Sequence, residues 1–175
     1  MGSFLDSESP YTRHMMGSHE SGAAHGTRLA PDALDSGNQG ETMQETTHKN
    51  AEIVRRGYEA FNKADIKTLT ELFDENASWH TPGRGSIAGD RKGREAVFAQ
   101  FGRYGQDTGG TFRAELRYVL ADDEGRVVAI HHNSGERNGK RLDVDCCLVF
   151  ELKNGRVTEG REYFFNLYAW DEFWS

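Results

Sequence analysis

From Ala51 onward the apolar residues fall into registers that the chain before it lacks. Val54, Tyr58 and Phe61 recur at i, i+4 and i+7, with Ile53 beside them, which marks one face of an amphipathic helix. Asn62-Lys63-Ala64-Asp65 interrupts the pattern, and Asp65 is a suitable N-cap for a second helix presenting Ile66, Leu69, Leu72 and Phe73. Ala77-Ser78-Trp79-His80 reads as a short strand, ended by Thr81-Pro82-Gly83. A Gly-rich loop over 83–93 follows. Val97, Phe98, Phe101 and Tyr104 then form a third helical stripe.

Beyond residue 110 the period changes to two. Thr111 to Leu120 places Phe112, Leu116 and Tyr118 on one parity, and Arg126 to Arg137 runs back after the turn at 122–125. Asn138-Gly139 and Asn154-Gly155 are strong hairpin signals. Between them Leu142, Val144, Cys146, Leu148, Phe150 and Leu152 alternate without a break, and Val157 to Phe165 makes the last long strand. Helices first and a strand meander last predict an α+β fold: three N-terminal helices in the concave face of a curved, mostly antiparallel sheet.

Residues 1–45 have few large apolar side chains and no sustained period, which predicts a disordered extension ahead of one domain over 46–175. Met43 offers an alternative start for the folded part. The net charge of −7 argues against nucleic acid as a partner, since phosphate binding needs a Lys/Arg excess. The only cysteines, Cys146 and Cys147, are adjacent and on a strand face opposite ways, so a reduced, cytoplasmic protein is expected. No apolar run approaches membrane-spanning length and no secretory signal is read at the N-terminus.

The element order resembles the SnoaL-like branch of the nuclear transport factor 2-like superfamily, in a bacterial subgroup. The resemblance is carried by Tyr58-Glu59-Ala60-Phe61-Asn62-Lys63-Ala64-Asp65, Leu72 to His80, Gly89 to Val97, Gly155-Arg156-Val157-Thr158-Glu159 and the closing Tyr168 to Ser175. It implies a cone with a central apolar pocket and a homodimer through the outer face of the sheet. It also allows known chemistries to be tested by position. Ketosteroid isomerase, one of the standard cases of tuned carboxyl groups, uses an Asp base and a Tyr/Asp oxyanion hole. Those positions fall on Thr81, on Gly57 with Tyr58 one place off, and on Cys146 or Cys147, the alternation of Leu148 and Phe150 favouring Cys146. The acid/base Asp of SnoaL-type cyclases falls nearest Asn166. An epoxide-hydrolase arrangement would draw on Asp145, Arg161 and Glu162, which the pattern does not place on one face.

Histidines therefore become the candidate acid–base groups, because their charge changes near neutral pH. His80 and His131 are the expected pocket pair, and His132 points the other way. Trp79, Phe101, Asn166, Tyr58 and Phe61 are the expected ligand-lining residues. Asp107-Thr108-Gly109 lacks the second carboxylate of an aspartic protease, and Gly83, Gly85 and Gly89 lack dinucleotide spacing. No metal, no cofactor, no nucleic acid and no membrane are expected. The expected function is binding of a small apolar, oxygenated molecule; the alternative is a cofactor-independent isomerase, cyclase or hydratase using the pocket histidines.

Overall fold

A computed structural model describes residues 36–175. The elements run α1 (Ser36–Asn62), α2 (Ile66–Leu72), β1 (Phe73–Thr81), β2 (Gly89–Lys92), α3 (Arg94–Asp107), β3 (Arg113–Ala121), β4 (Arg126–Arg137), β5 (Lys140–Lys153), β6 (Arg156–Phe164) and α4 (Leu167–Trp174). α1 begins at Ser36, ahead of the boundary expected at 45; residues 1–35, the rest of the expected extension, lie outside the described residues.

The six strands form one curved sheet in the order β2-β1-β6-β5-β4-β3. Only β1 and β6 pair in parallel; every other neighbour is antiparallel. Both predicted hairpins form. Asn138 and Gly139 sit at φ 50° and 74°, and Asn154 and Gly155 at 51° and 72°, the left-handed pairs that let a two-residue loop follow the strand twist. Asp65 caps α2 as expected, accepting from the Thr68 amide at 3.0 Å.

Three local expectations are corrected. Phe73 belongs to β1, and residues 89–92 leave the predicted loop to add a short edge strand. Tyr118 does not share a face with Phe112 and Leu116: a β-bulge between Leu116 and Tyr118 reverses the side-chain alternation. Leu116 therefore stands opposite buried His131, while Tyr118 stands opposite Ile130 and is 68% exposed.

The concave face of the sheet holds the core. Val127, Ala129, His131 and Asn133 of β4 point inward beside Phe150, Leu148, Cys146 and Val144 of β5, and all eight are buried. Val54 and Tyr58 of α1, Leu69 and Leu72 of α2, and Val97 and Tyr104 of α3 close on them. The closing segment is a packed helix, α4. Trp170, Phe173 and Trp174 are buried, and Trp170 stacks on Phe164 at 3.8 Å between ring centroids. Arg137 and Lys140 hold its C-terminal carbonyls, at 2.8 Å to Phe173 and 2.6 Å to Glu172.

Candidate functional site

Between the helices and the concave face lies a cavity of about 60 Å³. Its walls are largely aromatic: Phe61 of α1, Phe73 and Trp79 of β1, Phe101 and Tyr104 of α3, Phe112 before β3, and Phe150 of β5. Trp79 and Phe61 each meet Phe101 edge to face, with centroids 5.0 Å and 5.3 Å apart, while Tyr104 stacks on Phe112, both geometries favoured by ring quadrupoles. Trp79 can lie across the sheet only because its partner on β6 is Gly160. A Cβ there would stand 2.2 Å from the indole.

Four polar side chains interrupt this wall besides Tyr104 and Trp79: Tyr58, His131, Asn133 and Glu162. Glu162 is two residues beyond Gly160 on the same face of β6, opposite Leu148. The Thr81 hydroxyl, at the end of β1, donates to its Oε2 at 2.6 Å. Gln100 of α3 in turn donates to Thr81 Oγ1 at 2.7 Å and to the Tyr104 hydroxyl at 3.0 Å. The indole N–H of Trp79 approaches the same carboxyl without closing a hydrogen bond. Burial pushes the Glu162 carboxyl up to about 7, with the hydrogen-bonding groups of Thr81, Trp79 and Tyr104 opposing the shift without cancelling it. Near neutral pH this carboxyl therefore divides between its two protonation states.

On β4, His131 Nδ1 and the Tyr58 hydroxyl are 2.7 Å apart, with ring centroids at 5.2 Å. Burial lowers His131 to about 4, so the ring is neutral at pH 7, and burial raises the Tyr58 phenol well above its usual value. The pair is a neutral hydrogen-bonding unit rather than an ion pair. Burial likewise raises the Cys146 thiol, which removes it as a nucleophile near neutral pH. Among the described residues, no Lys or Arg lines the cavity.

Of the residues expected to share a pocket, Tyr58, Phe61, Trp79, Phe101 and His131 do line this cavity. His80 and Asn166 do not. Neighbouring residues of a strand face opposite ways, so with Trp79 inside, His80 is on the outer face. There its Nδ1 is 2.8 Å from Asp90 Oδ1 and its Nε2 is 3.6 Å from Glu159 Oε1. Asn166 is exposed and serves as the N-cap of α4, accepting from the Ala169 amide at 3.1 Å. The epoxide-hydrolase set is also divided: Asp145 pairs with His132 at 2.8 Å on the outer face and Arg161 with Glu159 at 2.9 Å, leaving Glu162 alone inside.

Glu162 and Asn133 are the polar lining residues that the strand pattern did not single out for the pocket. For Glu162 the reason is specific. β6 carries an extra residue, since Leu152 pairs with Val157 but Glu151 with Glu159. Alternation counted from Val157 would put Arg161 inside; the irregularity at Thr158 puts Glu162 there instead. Asn133 shares the parity of His131 and was legible from it.

Comparison with known proteins agrees with this architecture. A family model described as a SnoaL-like domain matches residues 54–160. The structure of Bal32a from a soil-derived mobile gene cassette is 72% identical, with a TM-score of 0.73 over 74% of this chain and 99% of that one. An uncharacterised protein of Mycobacterium tuberculosis is 29% identical over 130 residues, 74% of this chain and 99% of its own length. A structure of TerC co-crystallised with polyporic acid shares the fold at 19% identity and a TM-score of 0.63, covering 71% of this chain and 97% of that one. With a domain model spanning most of the folded region, and a sheet-and-helix cone around one inward-facing cavity, this chain belongs to the SnoaL-like domain family.

Proposed function

We propose that the cavity binds a small, apolar, oxygen-bearing molecule, and that Glu162 exchanges protons with it. The observation that carries this reading is a single one: a carboxyl group buried in an aromatic cavity and poised near pH 7. A group whose pKa lies near the working pH is the best compromise between having the right protonation state and having a driving force for transfer. Such a perturbed carboxyl in a concave site is a standard mark of acid–base function. The ionised form would take a proton from a bound C–H or O–H, and the neutral form would return it elsewhere on the same molecule. That is an isomerisation or cyclisation without a cofactor. Thr81 and Gln100 would hold the carboxyl in place, while the Tyr58–His131 pair would supply neutral hydrogen-bonding groups. His131, neutral at pH 7, is a weaker candidate for carrying the proton than Glu162.

The relatives support the ligand class without naming the ligand. TerC was crystallised with polyporic acid, and a neighbour from Sinorhizobium meliloti, 20% identical with a TM-score of 0.54, is described as a putative polyketide cyclase. A binding-only reading has one observation in its favour: the positions that carry carboxylates in the isomerase and cyclase patterns hold Thr81, Cys146 and Asn166 here. A thermal-shift screen of steroids, polyketides and terpenoids should find a compound that raises the melting temperature, because a ligand of the native state alone must do so. That compound should then exchange hydrogen for deuterium in D₂O with the wild-type protein and not with Glu162→Gln. Binding without exchange would leave the non-catalytic reading.

The outer sheet face supports a homodimer as the assembly. Two rows of side chains cross it in register, Tyr118–Ile130–Cys147–Tyr163 and Leu120–Val128–Val149–Arg161. Leu120 is 71% exposed in the single chain, so this face presents an apolar strip, bordered by Arg161, that a second copy would cover. Sedimentation at micromolar concentration should report a dimer, and Leu120→Lys should shift it toward monomer. For the membrane, no described helix is long and apolar enough to cross one.

A further inference from the structure

Asn133 stands next to His131 on the inner face of β4, is 2% exposed and lines the cavity. Its Nδ2 has no hydrogen-bond partner. Five buried side-chain polar atoms among the described residues share that condition, and only two belong to cavity-lining residues: Asn133 Nδ2 and Trp79 Nε1. The Trp79 indole is accounted for by the Glu162 carboxyl it approaches. Asn133 is not. The Asn133 amide raises the His131 pKa against the effect of burial, as an oxygen acceptor beside the ring would, so Nδ2 is the amide atom left without a partner. A buried donor without a partner is costly, and an apolar side chain of the same shape would remove that cost.

We infer that Asn133 is the anchoring residue for the ligand, and that its Nδ2 donates to an uncharged carbonyl oxygen of a small ring compound. Three features on the cavity wall restrict the class. The unfilled group is a donor, so the ligand presents an acceptor there. No Lys or Arg among the described residues lines the cavity, His131 is neutral at pH 7 and Glu162 is acidic. A carboxylate or phosphate would therefore be desolvated without a counter-charge, and near Glu162 it would meet a like charge. The walls are aromatic rings that suit a flat ring, and the volume of about 60 Å³ confines the buried part to a small one. This rests on the proposed reading of the cavity as a ligand site, but it does not require Glu162 to catalyse anything.

The test compares three probes on the full chain by calorimetry at pH 8: 1-indanone, indane and indane-1-carboxylate. The informative quantity is the ratio of the indane Kd to the indanone Kd, since it cancels ring burial. Asn133→Leu should lower that ratio about 5–10-fold relative to wild type, the worth of one buried hydrogen bond, while indane binding is kept. The carboxylate should bind at least about tenfold more weakly than indanone. Should Asn133→Leu fail to fold, Asn133→Ala carries the same comparison. An unchanged ratio with both neutral probes bound would overturn the inference, leaving Asn133 as a water-binding residue and the cavity reading intact. Carboxylate binding as tight as ketone binding would overturn the restriction to neutral ligands. If neither neutral probe binds the wild-type protein, the cavity reading fails and this inference fails with it.

Discussion

The two faces of the sheet carry similar titratable groups and treat them in opposite ways. On the concave face Glu162 and His131 are buried and have no ionic partner, and burial drives both toward their neutral forms, to about 7 and about 4. On the outer face His80 and His132 each lie beside two carboxylates, at 2.8 and 3.6 Å and at 2.8 and 3.4 Å. Water reaches those pairs, so their Coulomb energy is screened. The same residue types therefore become tunable chemistry inside and ordinary surface electrostatics outside. What separates them is the parity of a strand position, not the identity of the side chain.

The largest expected effect breaks this contrast through pH. Glu162 has a folded pKa raised above its usual 4.5, so its contribution is full below pH 4.5 and is lost as pH rises to about 7, at a total of about 3 kcal/mol. His131 has a folded pKa lowered from 6.5 to about 4, so its contribution is full above pH 6.5 and is lost as pH falls, with a similar total. Between about pH 4.5 and 6.5 the two slopes oppose each other. Denaturant titrations across that window should show Glu162→Gln gaining stability with rising pH relative to wild type, and His131→Gln losing it.

Next in size is Gly160→Ala. Its Cβ would fall 2.2 Å from the Trp79 ring, so the indole or the strand must move, and overpacking of this kind costs about 1–3 kcal/mol. A lowered urea midpoint should be accompanied by altered tryptophan fluorescence. Thr81→Val, which removes the donor at 2.6 Å from Glu162 while keeping volume, should raise the Glu162 pKa further. NMR titration of the carboxyl carbon would read this directly, and the effect on stability at pH 8 should be about 1 kcal/mol. Smallest is the outer face: His80→Ala should change stability by no more than about 1 kcal/mol and leave ligand affinity where it was.

The same contrast explains what was legible in the chain. Apolar periodicity identified α2, α3 and the four strands of the meander, because each must bury one face and its side chains repeat at the helix or strand period. The left-handed turns at Asn138-Gly139 and Asn154-Gly155 followed from residue chemistry. Tyr58, Phe61, Trp79, Phe101 and His131 were placed at the cavity by that patterning and by resemblance to the family.

What only the tertiary structure decided is which side of the sheet the polar residues occupy. Period-two reading holds until an irregularity inserts a residue, and this sheet has such shifts in β3 at Leu116–Tyr118 and in β6 at Thr158. The first turned Tyr118 outward; the second turned Glu162 inward and Arg161 outward. Neither irregularity is announced by a glycine or proline, since each arises from how two strands match over their length. The pKa of Glu162 follows from that placement, because desolvation depends on everything packed around the carboxyl and not on its neighbours in sequence. Local composition and period thus determined the elements and the fold, while the chemistry of the site was set by strand registry that no short stretch of sequence contains.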